Sequence, residues 1–92
     1  MAYTMKSSLL NPAEWLHEGL IGREMDFGPN SDGTAFALYI DKYECGIISN
    51  QVMGWLRSFG SATLDATFVL KSVTTNAKTG KQTWYYTVTV NA

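Results

Sequence analysis

The chain has 92 residues, an apolar share of 46% that is normal for a globular protein, and a net charge of −1. This length is enough for one domain and too short for two. The single cysteine, Cys45, excludes an intrachain disulfide, and no apolar run approaches the roughly 20 residues of a membrane-spanning helix. The first residues lack the apolar segment of a secretory signal, so we expect a cytoplasmic protein without a membrane partner.

Charge is distributed unevenly along the chain. Residues 1–50 carry seven carboxylates and three cations, whereas residues 51–92 carry four cations and one carboxylate. A basic half can present a positive surface even when the total charge is near zero. Scattered charges on a solvated surface explain the same composition, so both interpretations stay open.

The first residues predict a flexible arm followed by a short helix. Residues 1–10 are expected to be the arm, and residues 11–92 a single compact domain. Asn11, Pro12 and Glu14 have the spacing of a helix N-terminus with a capping box, and Gly19 is a suitable stop. We therefore expect a helix over residues 12–18.

Apolar patterning then predicts three strands, over residues 20–27, 34–41 and 43–49. The alternation is clear in the second, interrupted by Arg23 in the first, and absent from the third, which is apolar on both faces. Residues 28–33 form a cluster of turn formers between the first two strands. Lys42 lies in a tight connection before the third strand.

The hydrophobic period next becomes helical. Ser49 or Asn50 is a suitable cap, and Gly60 a suitable end, for a helix over residues 50–59. Its apolar stripe follows the i, i+3, i+4, i+7 spacing: Val52, Trp55, Leu56 and Phe59.

Two further alternating segments, residues 64–74 and 81–90, are joined by a polar loop that contains glycine and predict a β-hairpin. A helix between the third and fourth of five strands is the order of an OB-like barrel. We therefore predict a mostly β (α+β) fold, a five-stranded antiparallel OB-like barrel with a short N-terminal helix. The alternative is an open antiparallel sheet with both helices on one face.

The residue types of catalytic and metal sites are sparse. The only histidine, His17, would have to serve any His-dependent triad or metal site, and Cys45 lies in a predicted strand, where cysteine is usually a small buried hydrophobe. The loop around Asp32 suggests a calcium loop, but Gly28 and Tyr39 would take the first and last ligand positions. We expect no enzyme activity, no metal and no cofactor.

The segment from Gly46 to Val90 resembles small OB-fold-type, single-strand-binding-like proteins of phages and other mobile elements. The matching pattern is Gly46-Ile47-Ile48-Ser49-Asn50, a helix that ends at Phe59-Gly60, a strand over residues 64–73, and Gly80-Lys81 leading into Tyr85-Tyr86-Thr87-Val88. The resemblance implies an OB-type barrel that binds single strands.

Aromatic and basic residues at outward strand positions indicate a binding surface. Bases can stack on tyrosine rings while lysines contact phosphates. We therefore predict a binding site for single-stranded DNA or RNA made of Tyr39, Tyr43, Lys71, Lys78, Lys81 and Tyr85. The alternative is a phage-type inhibitor or accessory protein that docks on a larger enzyme, since tyrosine and tryptophan are equally good anchors in protein interfaces. A homo-oligomer formed through an open strand edge is a third interpretation.

Overall fold

The computed structural model describes residues 1–60 and 65–91, and within these ranges the predicted mostly β fold is confirmed. The strands are β1 (Ala2–Ser8), β2 (Glu24–Pro29), β3 (Phe36–Ile40), β4 (Tyr43–Ile47), β5 (Ala66–Thr75) and β6 (Gln82–Asn91). All pairings are antiparallel, in one sheet of order β1-β6-β5-β2-β3-β4. A short 3-10 helix (Glu18–Leu20) precedes β2, and the helix α1 (Asn50–Arg57) joins β4 to β5.

The five strands expected from the sequence are present with shifted ends. The predicted start of the fourth, at Leu64, lies outside the described residues. The helix after β4 begins as predicted, because the Ser49 hydroxyl accepts a hydrogen bond from the Val52 backbone N–H at 3.3 Å. The connection at Asp41 and Lys42 is a two-residue turn in which both residues have positive φ.

The predicted flexible arm over residues 1–10 is wrong for most of its length. Residues Ala2–Ser8 form β1, which pairs with β6 along its whole length. Tyr3, Met5 and Ser7 lie opposite inward-facing residues of β6, but only Met5 among them is strongly apolar. The apolar alternation of this segment is therefore too weak to predict a strand. Pairing with β6 stabilises β1.

The predicted helix over residues 12–18 is also wrong. Asn11 has a φ of 49°, in the left-handed region, rather than the extended backbone of a helix cap. The Ala13 N–H donates to the Cys45 carbonyl at 2.8 Å, so the start of this segment is bonded to β4. Helical order is limited to the 3-10 helix.

The sheet is open and six-stranded, which replaces the predicted five-stranded barrel. Its two edge strands, β1 and β4, approach each other through the residues that follow β1. Leu10 and Ile47 exchange two backbone hydrogen bonds of 2.9 and 2.8 Å. The open-sheet alternative is closer to the structure, with one α-helix in place of two.

The core lies on the inward face of the sheet. The β6 residues alternate between fully buried and half-buried, as their sequence predicts. Val52 and Leu56 of α1 and several residues from the segment between β1 and β2 complete the core. The buried cluster comprises Leu9, Leu16, Met25, Leu38, Ile40, Cys45, Ile48, Val52, Leu56, Phe68, Leu70, Trp84, Tyr86, Val88 and Val90.

Candidate functional site

The outward face of β1, β6 and β5 is rich in hydroxyl groups. Thr89 of β6 has Thr4 of β1 on one side and Thr67 of β5 on the other, and the hydroxyls of Thr4 and Thr89 are 3.1 Å apart. The strand pairing gives this face the following residues: Thr4, Lys6, Ser8, Thr67, Val69, Ser72, Thr74, Thr83, Tyr85, Thr87 and Thr89.

Tyr85 of β6 lies on this face between serine residues of the two neighbouring strands. Ser8 and Ser72 are its partners on the two neighbouring strands, and the Lys6 ammonium lies 5.1 Å from the centre of its ring. This distance permits a cation–π contact. Lys6, Ser8, Ser72 and Tyr85 are among the residues that line an open depression of about 550 Å³.

Lys71 lies at a β-bulge and immediately precedes Ser72, which lines this depression. The register between β5 and β6 shifts between Leu70 and Ser72, so Lys71 is the additional residue. The Lys71 side chain is exposed.

The loop between β5 and β6 carries two more exposed lysines, Lys78 and Lys81. The Asn76 side-chain oxygen accepts hydrogen bonds from the Lys78 and Thr79 backbone N–H groups, and the Asn76 N–H donates to the Lys81 carbonyl at 2.8 Å. Gly80 takes the positive φ, 74°, that closes the turn. The backbone under both lysines is therefore fixed by local hydrogen bonds.

Strand pairing separates the charges of the protein more sharply than the sequence order does. Residues 1–13 and 66–92 contain four lysines and no carboxylate, whereas residues 14–65 contain three cations and all eight carboxylates. Because β1 pairs with β6, the acid-free ends of the chain form one surface. We call the outward face of β1, β6 and β5, with the loop over residues 76–81, the lysine face.

The six residues predicted for nucleic-acid binding do not form one group. Lys71, Lys78, Lys81 and Tyr85 belong to the lysine face. Lys6 also belongs to it, although the sequence pattern does not predict this, because residues 1–10 are expected to be a flexible arm.

Tyr39 and Tyr43 lie instead in the acidic part of the fold. Tyr39 has Asp26 and Glu44 as its pairing partners, and its hydroxyl donates to the Pro29 carbonyl at 2.5 Å. Nearby carboxylates repel phosphate. Tyr43 is 69% exposed at the start of β4.

The residues considered for catalysis take part in local structure. The His17 Nδ1 accepts a hydrogen bond from the Gly19 N–H at 3.1 Å and so caps the 3-10 helix. Cys45 is fully buried, and burial raises the pKa of its thiol to about 11, which makes it a poor nucleophile.

The loop over residues 30–35, between β2 and β3, is held by hydrogen bonds of its own side chains. Asp32 accepts hydrogen bonds from the Thr34 hydroxyl at 2.6 Å and from the Thr34 N–H at 3.1 Å, and these contacts lower the pKa of the Asp32 carboxyl. Among residues 1–60 and 65–91, no three His, Cys, Asp or Glu side chains are grouped closely enough to hold a metal ion.

Comparison of the chain with models of protein families, with curated proteins and with solved structures finds no match. In the described part of the chain, no helix has the length and apolar character required to cross a bilayer.

Proposed function

We propose that this protein binds single-stranded nucleic acid through the lysine face and acts in the cytoplasm as a binding protein without catalysis. The observation that carries the proposal is the gathering of four lysines on a surface whose strands and loop contain no carboxylate. The resemblance of residues 46–90 to OB-fold-type single-strand-binding-like proteins belongs to the same proposal.

Different groups on this face can contact different parts of a nucleic acid. Lysine ammonium groups attract phosphates, and serine and threonine hydroxyls donate hydrogen bonds to phosphate and sugar oxygens. The Tyr85 ring can accept one stacked base once the Lys6 ammonium, 5.1 Å away, moves onto a phosphate. A base whose face is free for stacking is a property of single strands rather than duplexes.

The test is fluorescence anisotropy with a labelled oligothymidine and a labelled oligouridine over a series of salt concentrations. Four phosphate contacts predict a slope of about −3 for log K against log salt concentration, at roughly 0.7 per contact. Lys71→Glu should weaken binding severalfold and make the slope shallower. Lys42→Glu is the matched control, because it makes the same charge change in the β3–β4 turn.

A second pair of variants tests stacking. Tyr85→Ala should weaken binding by about fivefold or more, the lower range for one stacked base. Tyr39→Ala should leave the affinity unchanged, because Tyr39 lies between carboxylates. Absence of binding at low salt, or equal losses from Lys71→Glu and Lys42→Glu, would contradict the proposal.

Docking on a larger enzyme is a second candidate function, favoured by an exposed aromatic pair outside the lysine face. Trp15, 43% exposed, lies edge-on to Tyr43, with ring centres 6.3 Å apart. Aromatic anchors of this kind are typical of protein interfaces. A pull-down from the native host should recover one defined partner with the wild type and with Lys71→Glu, and lose it with Trp15→Ala combined with Tyr43→Ala. Recovery of no protein by the wild type would count against this candidate.

A further inference from the structure

A second candidate site lies on the inward side of the sheet, away from the lysine face. It is a cavity of about 370 Å³ between α1 and strands β2, β3 and β5. Among the described residues, Arg57 and five apolar side chains line it: Phe27, Phe36, Met53, Leu56 and Phe68.

Three phenylalanine rings form an offset stack along one wall. The Phe27 ring lies between those of Phe36 and Phe68, with centre-to-centre distances of 4.9 and 5.5 Å and interplanar angles of 9° and 6°. Phe68 is buried, but Phe27 is 44% exposed and Phe36 is 37% exposed. Their position in a concavity that extends to α1 makes this exposed apolar surface suitable for a ligand.

Arg57, the last residue of α1, supplies the only charge that the described residues bring to the cavity wall. No carboxylate of residues 1–60 and 65–91 lines the cavity. A smaller recess of about 180 Å³ also has Phe36, Met53 and Arg57 in its wall. Arg57 thus borders both concavities, and an anion is the complement of its guanidinium group.

We propose that this cavity binds a small planar aromatic anion, with its rings against Phe27 and Phe36 and its carboxylate or sulfonate on the Arg57 guanidinium. An apolar cavity of about 150 Å³ holds benzene, so the larger volume here suits a ligand of about two fused rings. A nucleotide is a poor fit, since its polar base edges would lose hydrogen bonds with water against the phenyl and thioether walls. The proposal is independent of the lysine face and of nucleic-acid binding.

The test is a titration of the full chain with 2-naphthoate, followed through backbone amide and methionine methyl NMR signals. We expect saturable shifts centred on Phe27, Phe36 and Met53, with a dissociation constant of about 1 mM or tighter for a ligand of this size. The neutral isostere 2-naphthamide should bind about fivefold more weakly, as expected for loss of one partly exposed ion pair. A nucleoside monophosphate should not shift these signals.

Arg57→Gln should reduce the affinity for 2-naphthoate to that for 2-naphthamide, while Lys42→Gln, with the same loss of charge, should not. Met53 is a half-buried residue of α1, and Met53→Trp should fill the cavity and abolish binding. The amide spectrum of this variant should remain that of a folded protein. No shift on addition of 2-naphthoate would overturn the proposal. So would shifts centred on Trp15 and Tyr43, equal affinities for the two ligands, or undiminished binding by folded Met53→Trp.

Discussion

The closest contact between the two edges of the sheet gives the sharpest test of the fold. Gly46 of β4 lies under the residues that follow β1. A Cβ atom at this position would be 2.8 Å from the Leu9 Cβ and 3.1 Å from the Leu10 carbonyl oxygen. Carbon atoms normally approach no closer than about 3.5 Å, so Gly46→Ala requires this segment to withdraw by roughly 0.7 Å.

The withdrawal acts on two kinds of stabilising contact. Leu10 and Ile47 would lose or weaken two backbone hydrogen bonds, each contributing about 1 kcal/mol, and Leu9, only 4% exposed, would lose packing. The reduced backbone freedom of alanine in the unfolded chain offsets about 0.5 kcal/mol. We expect Gly46→Ala to lower the free energy of unfolding by about 2 kcal/mol, a fall in Tm of roughly 8–16 °C for a domain of this size.

The assay is urea and thermal unfolding followed by circular dichroism, with hydrogen exchange at the Leu10 and Ile47 amides. Gly54→Ala is the control, because it adds the same methyl group to α1 at a position where, beyond the helix's own backbone, no atom of the described residues lies within 4 Å. That control should raise the free energy of unfolding by about 0.5–1 kcal/mol. A Gly46→Ala variant as stable as the wild type would refute the proposed close approach.

Three further predictions concern single groups. Ser49→Ala removes the cap that accepts the Val52 N–H and should lower the free energy of unfolding by about 1 kcal/mol in urea titrations; an unchanged midpoint and slope would contradict the cap. Cys45 is fully buried, so a thiol-specific disulfide reagent at pH 8 should label it only at the rate of unfolding, and immediate labelling of the native protein would exclude this burial. Burial raises the pKa of Cys45 from 9.0 to about 11 and that of Tyr86 from 10.0 to about 12. The native state therefore holds these protons longer than the unfolded chain does, and stability should fall as the pH rises above 9, with Cys45 contributing about 2 kcal/mol of the loss by pH 11. Cys45→Ala should flatten the stability profile between pH 9 and 11, and an equally steep fall in this variant would assign the effect to other groups.

Local sequence patterns were sufficient where an element depends on its own residues. The alternation from Gln82 to Asn91 determines which side chains of β6 are buried, because successive strand residues face opposite sides. Ser49 and the apolar stripe of Val52 and Leu56 likewise predict where α1 begins and which face it buries. Both signals depend on neighbours within a few residues.

The two proposed binding surfaces depend on contacts between distant parts of the chain. Lys6 reaches the Tyr85 ring only because β1 pairs with β6, across almost the whole length of the sequence. The strand order separates Tyr85 of β6 from Tyr39 of β3, because β5 and β2 lie between them, although both tyrosines occupy outward positions.

The cavity beside Phe27 and Phe36 likewise could not be predicted from the positions of these residues in the sequence. Their parity with Met25 and Leu38 indicates the inward face, but both line the cavity next to α1 and remain partly exposed. Local periodicity is sufficient to predict the face of most strands and of α1. Which strands are neighbours follows only from the folded chain, because sheet partners are selected by backbone hydrogen bonds and by packing between distant residues. That strand order brings the lysines to one surface and leaves the Phe27 and Phe36 rings partly exposed beside α1.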